Sequence, residues 1–260
     1  MDASAAKAAA SLLWRHWMSA TRIPHLPDDI RPRNRADAYA IQRALAALSR
    51  QPVVGWKIAA TSAVGQRHIG VDGPLAGSLL ADRVLACGAT VSLEGNMMRV
   101  AEAEFAFRMG RALPPRDRPY DTSEVLEAVD ALQPTIEIPD SRYEHFAGVG
   151  APQLIADNAC AWVLIVGDPA PARWREMDLS AHRVETFLNG THAASGIGSN
   201  VLGDPRTALT WVANEVSVFG GGLREGDLVT TGTCISPVAL APGDAFAVDF
   251  GALGSCSVRL

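Results

Sequence analysis

The segment from Arg99 to Gly110, RVAEAEFAFRMG, holds Glu102 and Glu104 two residues apart in a run otherwise built largely of alanine, valine and phenylalanine. On an extended strand, side chains at i and i+2 share a face about 6.5–7 Å apart along the backbone. The two flexible carboxylates can therefore converge on one cation while Phe105 and Phe107 face the other way. Without a cation, two like charges on a half-buried face raise each other's pKa and weaken the fold. An edge strand with both glutamates in water is the plain alternative. A third carboxylate, Glu137 in PTIEIPDSRY, stands between Ile136 and Ile138 in another apolar stretch. Three carboxylates make a hard oxygen site of the kind magnesium or manganese takes, with positions left for water and substrate. No His/Cys spacing of the zinc type lies nearby. Asp140 and Arg142 follow at once, either as partners that orient the ligands or as an ordinary ion pair.

Proton transfer needs a further group within reach. The basic residues are almost all arginine, and only Lys7 and Lys57 are lysine. Arginine does not readily give up a proton, whereas a buried lysine can. Lys57, between Trp56 and Ile58 in GWKIAATS, is the candidate, with a snorkelling lysine as the bland reading.

These residues need a scaffold. Ser4 to Trp17 reads as an amphipathic helix, and Asn34 caps a second one over RADAYAIQRALAALS that ends near Gln51-Pro52. From Val53, VVGWKIAA reads as a buried strand, GQRHIGVDGPLAGSLL as a glycine-punctuated loop region, and 100–109 as a strand. Asp121 with Glu124 predicts a capping box for a short helix through Leu132, followed by a strand from Pro134 to Ile138. A short helical turn over 152–158 precedes a buried strand at 161–166. Strands near 183–188 and 191–194 meet at the hairpin turn Asn189-Gly190. Pro205 opens a helix through TALTWVANEVSVF that Gly220–Gly222 stops, and DLVTTGT, DAFAVDF and GSCSVRL return to sheet. The expectation is an α+β protein with a helical N-terminal section over 1–52 and a catalytic mixed-β domain over 53–260. There is no internal repeat, P-loop or dinucleotide fingerprint.

At 260 residues, 48% hydrophobic and 20% charged, the chain can bury a core without staples. A net charge of -5 and no basic block argue against nucleic acid, although a pocket can carry a local field of the opposite sign. Cys87, Cys160, Cys234 and Cys256 are scattered with no CxxC pair and read as free thiols. Arg15 and His16 interrupt any secretory apolar run, and the longest apolar run, AWVLIV, is too short for a bilayer. A cytoplasmic protein without membrane contact is expected.

Taken in order, GWKIAATSAVGQRHIGVDGPLAGSL, AEAEFAF, PTIEIPDSR, LIADNACAW and LREGDLVTTGT resemble the hydratase and decarboxylase branch of the fumarylacetoacetate hydrolase-like superfamily, from about Gly55 to the end. The resemblance implies a mixed β-sheet roll or sandwich core of the fumarylacetoacetate hydrolase C-terminal type, with flanking helices. It also implies a homo-oligomer, pentameric or decameric, and allows a complex with a related pathway enzyme. It assigns Mg2+ or Mn2+ to Glu102, Glu104 and Glu137, and an active-site role to Lys57. Asp72, in GVDGP, matches a polar position that handles a proton at C3 or C5, a turn residue being the alternative. Thr61 and Ser62 would bind a substrate carboxylate. Asp157 and Asn158 match an Asp-Asn pair that either meets substrate or caps a helical turn. Cys160 stands where many hydratases carry serine; a thiol is a poor donor, which weakens a water-positioning or substrate-binding role there. Thr231, Gly232 and Thr233 resemble a pocket loop for an anionic substrate.

The implied substrate is a small anionic 2-oxo or 2-hydroxy acid. The reaction is hydration of a 2-hydroxy-2,4-dienoate of the 2-oxopent-4-enoate type to a 4-hydroxy-2-oxo acid, in aromatic meta-cleavage catabolism. The rival is decarboxylation of 4-oxalocrotonate, for which Arg142 or Arg67 would receive the second carboxylate. A catalytically inactive partner subunit is the alternative from another class; it predicts loss of a metal carboxylate or the lysine.

Overall fold

The computed structural model describes all 260 residues. Helix α1 (Ala3–Met18) starts where the Asp2 carboxylate accepts the Ala5 N–H, and α2 (Arg35–Ser49) where Asn34 accepts that of Asp37. Both boundaries follow from the side-chain oxygen that satisfies an orphan N–H of the first turn. The chain then forms β1 (Val53–Ala59), α3 (Ala63–His68), β2 (Leu75–Leu80), β3 (Val84–Ala86), β4 (Val100–Met109), α4 (Thr122–Glu127) and β5 (Val129–Ile138). It continues through α5 (Ala151–Ala156), β6 (Val163–Val166), β7 (Arg183–Leu188), β8 (Thr191–Ile197) and α6 (Pro205–Phe219). Strands β9 (Leu228–Thr233), β10 (Val238–Ala239), β11 (Ala245–Asp249) and β12 (Ser255–Arg259) complete it.

The sequence expectations differ from this in three places. The stretch after β1 read as loop, 65–80, contains most of α3, capped by Ser62, and all of β2, whose six residues are buried. Glycine at positions 70, 73 and 77 hides both from pattern reading. The helix expected to run through Leu132 ends at Glu127, because Val129 to Ile138 pairs with β4 as one ten-residue strand. The short strands β3 and β10, too brief to carry a period, were not anticipated.

The larger sheet has the order β2-β1-β9-β4-β5-β6-β3, with β10 added to β4, and the smaller one the order β12-β11-β7-β8. Strand β4 is therefore interior, paired to β9 and β5, and the edge-strand alternative for its glutamates falls. The larger sheet is strongly curled. Leu79 of β2, Leu228 of β9, Ala106 of β4 and Leu164 of β6 form one buried apolar cluster. On a flat sheet β2 and β6 would lie five strand spacings, roughly 24 Å, apart. This cluster plugs the inside of the curl. Along β4, Glu102 and Glu104 lie on the same face as Ala106, so the carboxylates face the same interior beyond the plug.

The outer face carries the main core. Phe105 meets Phe250 edge to face at 5.0 Å, and Phe107 meets Trp174 at 5.8 Å. Residues of α1, α2, α6 and the smaller sheet belong to the same apolar cluster as these phenylalanines. Inside α2, Gln42 donates to the Ala76 and Ile155 carbonyls and accepts from the Ser78 hydroxyl, tying the helical section to β2 and α5. No helix is long and apolar enough to cross a membrane.

Candidate metal centre

Antiparallel pairing sets Glu102 directly opposite Glu137, and Glu104 opposite Thr135. One carboxylate oxygen from each of the three glutamates lies within 4.8 Å of the others. Glu104 and Glu137 are buried, while Glu102 is partly exposed and marks the open side. Glu104 is held firmly: its Oε2 accepts the Gly232 N–H at 2.9 Å, and its carbonyl accepts the Thr135 hydroxyl at 2.9 Å. Gly232 must be glycine here. Its φ is +88°, and a Cβ would stand 2.2 Å from Thr61 Oγ1.

Lys57 is 2% exposed and reaches this cluster from β1, three strands from β5 in the curled sheet. Its Nζ lies 3.1 Å from Glu137 Oε1 and donates to the Ala159 carbonyl at 3.1 Å. Apart from that charge contact, Glu104 Oε1 and both Glu137 carboxylate oxygens are buried without a hydrogen-bond donor. Buried polar atoms are rarely left this way. One ammonium faces three carboxylates, a deficit of two positive charges that a divalent cation meets. The donor set is all oxygen, which suits a hard ion. The residues present fit the metal the resemblance implies.

The electrostatics agree. Burial, reinforced by repulsion from Glu137 and opposed by Lys57, pushes the Glu102 carboxyl up to about 7. Burial, then Glu137 and Glu102, raises Glu104 well above the carboxylate range. Burial works to lower Lys57, but the fields of Glu137, Glu102 and Glu104 outweigh it and raise the ammonium above its ordinary value. A carboxyl whose pKa is raised on folding contributes stability below its unfolded value of 4.5, and loses it as pH climbs through the folded value, about 7 for Glu102. Metal-stripped protein should therefore melt several degrees lower at pH 8 than at pH 5.5, and added Mg2+ or Mn2+ should stabilise more at pH 8. Thermal melts with and without chelator check this. A stripped protein that is more stable at pH 8 would contradict the burial of these charges.

The wall beside Lys57 is the turn from Asp157 to Ala161. Asn158, Ala159 and Cys160 all have positive φ, at 57°, 48° and 62°. Asparagine tolerates this conformation, but Ala159 and Cys160 adopt it at a cost of about 1–2 kcal/mol each, so the surroundings must impose it. Asp157 accepts from the Ser141 hydroxyl at 2.7 Å, the Arg142 N–H at 2.9 Å and the Arg142 guanidinium. The Cys160 carbonyl accepts the Asp140 N–H. Asp140 and Arg142 are thus not each other's partners. Asp140 pairs with Arg22 and accepts the Met97 and Met98 N–H groups, while Arg142 is buried against Asp157 with its guanidinium 4.1 Å from the Trp17 ring centre.

The remaining expected residues divide clearly. Thr61 is buried against Gly232, next to the cluster. Ser62 caps α3 by accepting the Gly65 N–H at 3.0 Å. Thr231 spends its hydroxyl on the Phe105 carbonyl and Thr233 on that of Ile235. Asp72 is exposed on the loop between α3 and β2 and has no hydrogen bond or ion pair to the cluster. Sequence reasoning overlooked Thr135, which stands two residues before Glu137, and Gly77, which shows only once the strands are in register.

Burial, with the negative field of Asp157, pushes the Cys160 thiol up to about 12, so it is a neutral wall group at physiological pH. The four cysteines are free, as expected, and only Cys87 is exposed. Brief treatment of folded protein with iodoacetamide should label Cys87 and spare Cys160, Cys234 and Cys256, as peptide mass mapping would show. Rapid labelling of Cys160 would place it in a different environment.

Residues 66–260 match the family described as fumarylacetoacetate (FAA) hydrolase C-terminal. The chain is 35% identical over 251 residues to the 2-keto-4-pentenoate hydratase of Paraburkholderia xenovorans (strain LB400), covering 95% of this chain and 91% of that one. It is 32% identical over 227 residues to a 4-oxalocrotonate decarboxylase of Pseudomonas putida, covering 86% and 84%. The solved 4-oxalocrotonate decarboxylase from Pseudomonas putida G7, complexed with magnesium and adipate, superposes with a TM-score of 0.90 at 28% identity, over 100% of this chain and 98% of that one. With three carboxylates gathered and Lys57 in place, the inactive-partner alternative loses its premise. Likeness of this extent to both kinds of relative makes the chain an enzyme of hydro-lyase or carboxy-lyase chemistry, and it belongs to the fumarylacetoacetate hydrolase superfamily, in the branch of its hydratases and decarboxylases.

Proposed function

We propose that this enzyme hydrates a 2-hydroxy-2,4-dienoate of the 2-oxopent-4-enoate type to a 4-hydroxy-2-oxo acid, with Mg2+ or Mn2+ held by Glu102, Glu104 and Glu137. The observation that carries the reading is the all-oxygen cluster with Lys57 Nζ 3.1 Å from Glu137. The ion supplies Lewis acidity for a C2 oxygen that gains negative charge. Lys57, kept protonated by the surrounding carboxylates, is the proton donor. Its Nζ gives a proton to C5 and takes one from the C2 hydroxyl, so the dienol becomes a conjugated 2-oxo-3-enoate. Water then adds, its oxygen to C4 and a proton to C3. We assign its transfer to Asp72, from the loop that follows α3, whose carboxylate takes a proton from the water as the water oxygen bonds to C4 and passes it to C3.

Thr61, Ser62, Thr231 and Thr233 line the carboxylate end of the pocket, the last two through backbone amides because their hydroxyls are engaged. Cys160 packs beside the carbon chain. Asp157 serves by shaping the turn, its carboxylate being taken by Ser141 and Arg142. The pathway we assign is aromatic meta-cleavage catabolism, and the assembly a homo-oligomer of pentameric or decameric type.

Decarboxylation of 4-oxalocrotonate is the second reading, favoured by the full-length likeness to the solved decarboxylase. A distal carboxylate needs a cation, and Arg142 is committed to Asp157 while Arg67 is exposed on α3. That speaks for the hydratase. The test adds Mg2+ or Mn2+ to metal-free protein with fresh 2-hydroxypenta-2,4-dienoate, following loss of dienol absorbance and product mass. Metal-dependent gain of one water supports hydration. No turnover there, with carbon dioxide released from 4-oxalocrotonate, moves the assignment to the decarboxylase.

A further inference from the structure

We infer that Asn158 is a positioning residue for Lys57, acting through the left-handed turn from 158 to 160. The inference rests on the role given to Lys57 above. In the register of β1 and β2, Lys57 faces Gly77, and cross-strand partners share a face. A side chain at position 77 would project beside Lys57. Gly77 has none, and a Cβ there would lie 2.1 Å from the Asn158 carbonyl oxygen and 3.2 Å from the Ala159 Cβ. The turn therefore occupies the space that a residue 77 side chain would fill.

Asn158 fastens it there. Its Oδ1 accepts the Ser78 N–H at 2.7 Å, and its Nδ2 donates to the Ser78 carbonyl at 2.8 Å. One side chain thus pairs with both backbone groups of a strand residue, as a neighbouring strand would. The next residue, Ala159, presents the carbonyl that Lys57 Nζ donates to at 3.1 Å. That acceptor and Glu137 Oε1 are the two oxygens the ammonium meets, so the direction of the lysine is set from the turn on one side and the carboxylate on the other. Asn158 itself is 1% exposed, with one donor and one acceptor of its amide paired to β2. Asparagine suits the place because it tolerates positive φ and offers both an acceptor and a donor.

Two variants separate the amide from the backbone shape. Asn158→Gly keeps the left-handed conformation accessible and removes the pairing with Ser78; Asn158→Ala removes the pairing and disfavours the conformation. Kinetics use whichever substrate the wild type turns over, alongside Mn2+ titration and thermal melts of the intact oligomer. Folded Asn158→Gly should lose about 10–100-fold in kcat, in the range seen when outer partners of a functional group are removed, with KM within about threefold. Mn2+ affinity should stay within about twofold, because the three carboxylates stand on β4 and β5. In a Lys57→Met background, Asn158→Gly should cost no further activity, since groups acting through one another are not additive. Unchanged kcat in folded Asn158→Gly, or the same fold loss persisting without Lys57, overturns the inference. Should both variants lose native near-UV dichroism, Gly77→Ala carries the test: its methyl displaces the same turn from the β2 side, and wild-type kcat there overturns it. If Lys57→Met alone leaves turnover intact, it is the proposed function of Lys57 that fails, a separate result.

Discussion

Replacing Glu137 by glutamine should abolish metal binding and turnover together while leaving the fold intact. Glu137 is the carboxylate that joins the lysine to the cluster: it faces Glu102 across the β4–β5 pair and lies 3.1 Å from the Lys57 ammonium. The amide has nearly the same shape, so packing against β6 is kept, but it supplies one neutral oxygen where an anion stood. A hard divalent ion loses a charged ligand, and Lys57 loses the carboxylate whose field contributes most to keeping it charged. The expected loss is at least about 10²–10³-fold in kcat, the scale set by removal of one preorganised electrostatic partner. Mn2+ titration should show affinity falling beyond the range of an assay that saturates the wild type. Stability should move the other way in stripped protein. Removing one of three clustered like charges relieves repulsion, so metal-free Glu137→Gln should melt no lower than metal-free wild type. A variant with wild-type turnover would sink the assigned centre.

The parts of this centre that were legible in the sequence are those that local pattern determines. Alternation along AEAEFAF places both glutamates on one face of a strand, and the same reasoning isolates Glu137 between two isoleucines. Capping by Asn34, the Asp121–Glu124 box and the Asn189-Gly190 turn are likewise local, and all are formed. What stayed hidden depends on strands far apart in sequence. Nothing in residues 53–80 announces that β1 joins β9 in parallel, nor that the sheet curls until β2 and β6 share a cluster. Without that curl Lys57 and Glu137 would not meet, so the lysine could be suspected from its apolar setting but not placed. Arg142 shows the same limit. It follows the third glutamate closely enough to suggest an orienting group or a ligand for substrate, yet its partner is Asp157, fifteen residues on. Asp72 lies at the opposite extreme: the motif that names it is plain, and the residue stands exposed on a loop.

The Arg142–Asp157 pair carries the other large effect, and it falls on stability. Both side chains are almost wholly buried, at 1% and 0% exposure. Burial raises the Asp157 carboxyl against the pull of Arg142, which shows how much desolvation the pair absorbs. Removing one member strands the other: in Asp157→Ala the guanidinium keeps its stacking on Trp17 and its bond to the backbone carbonyl of residue 157 but loses the carboxylate oxygen its Nε donates to, and the Arg142 N–H and Ser141 hydroxyl lose their acceptor. The cost should be about 3–5 kcal/mol, a fall in Tm of roughly 6–20 °C for a chain of this size. The same substitution releases the turn that walls Lys57, so activity should fall in whatever fraction remains folded. Pairing the change with Arg142→Met tests whether the loss comes from a stranded charge. If it does, the double variant melts higher than Asp157→Ala alone, because the buried cation has gone with its partner. If the double variant melts lower still, the two residues contribute independently, and the turn is held by Asp140 and Asn158 rather than by the buried ion pair.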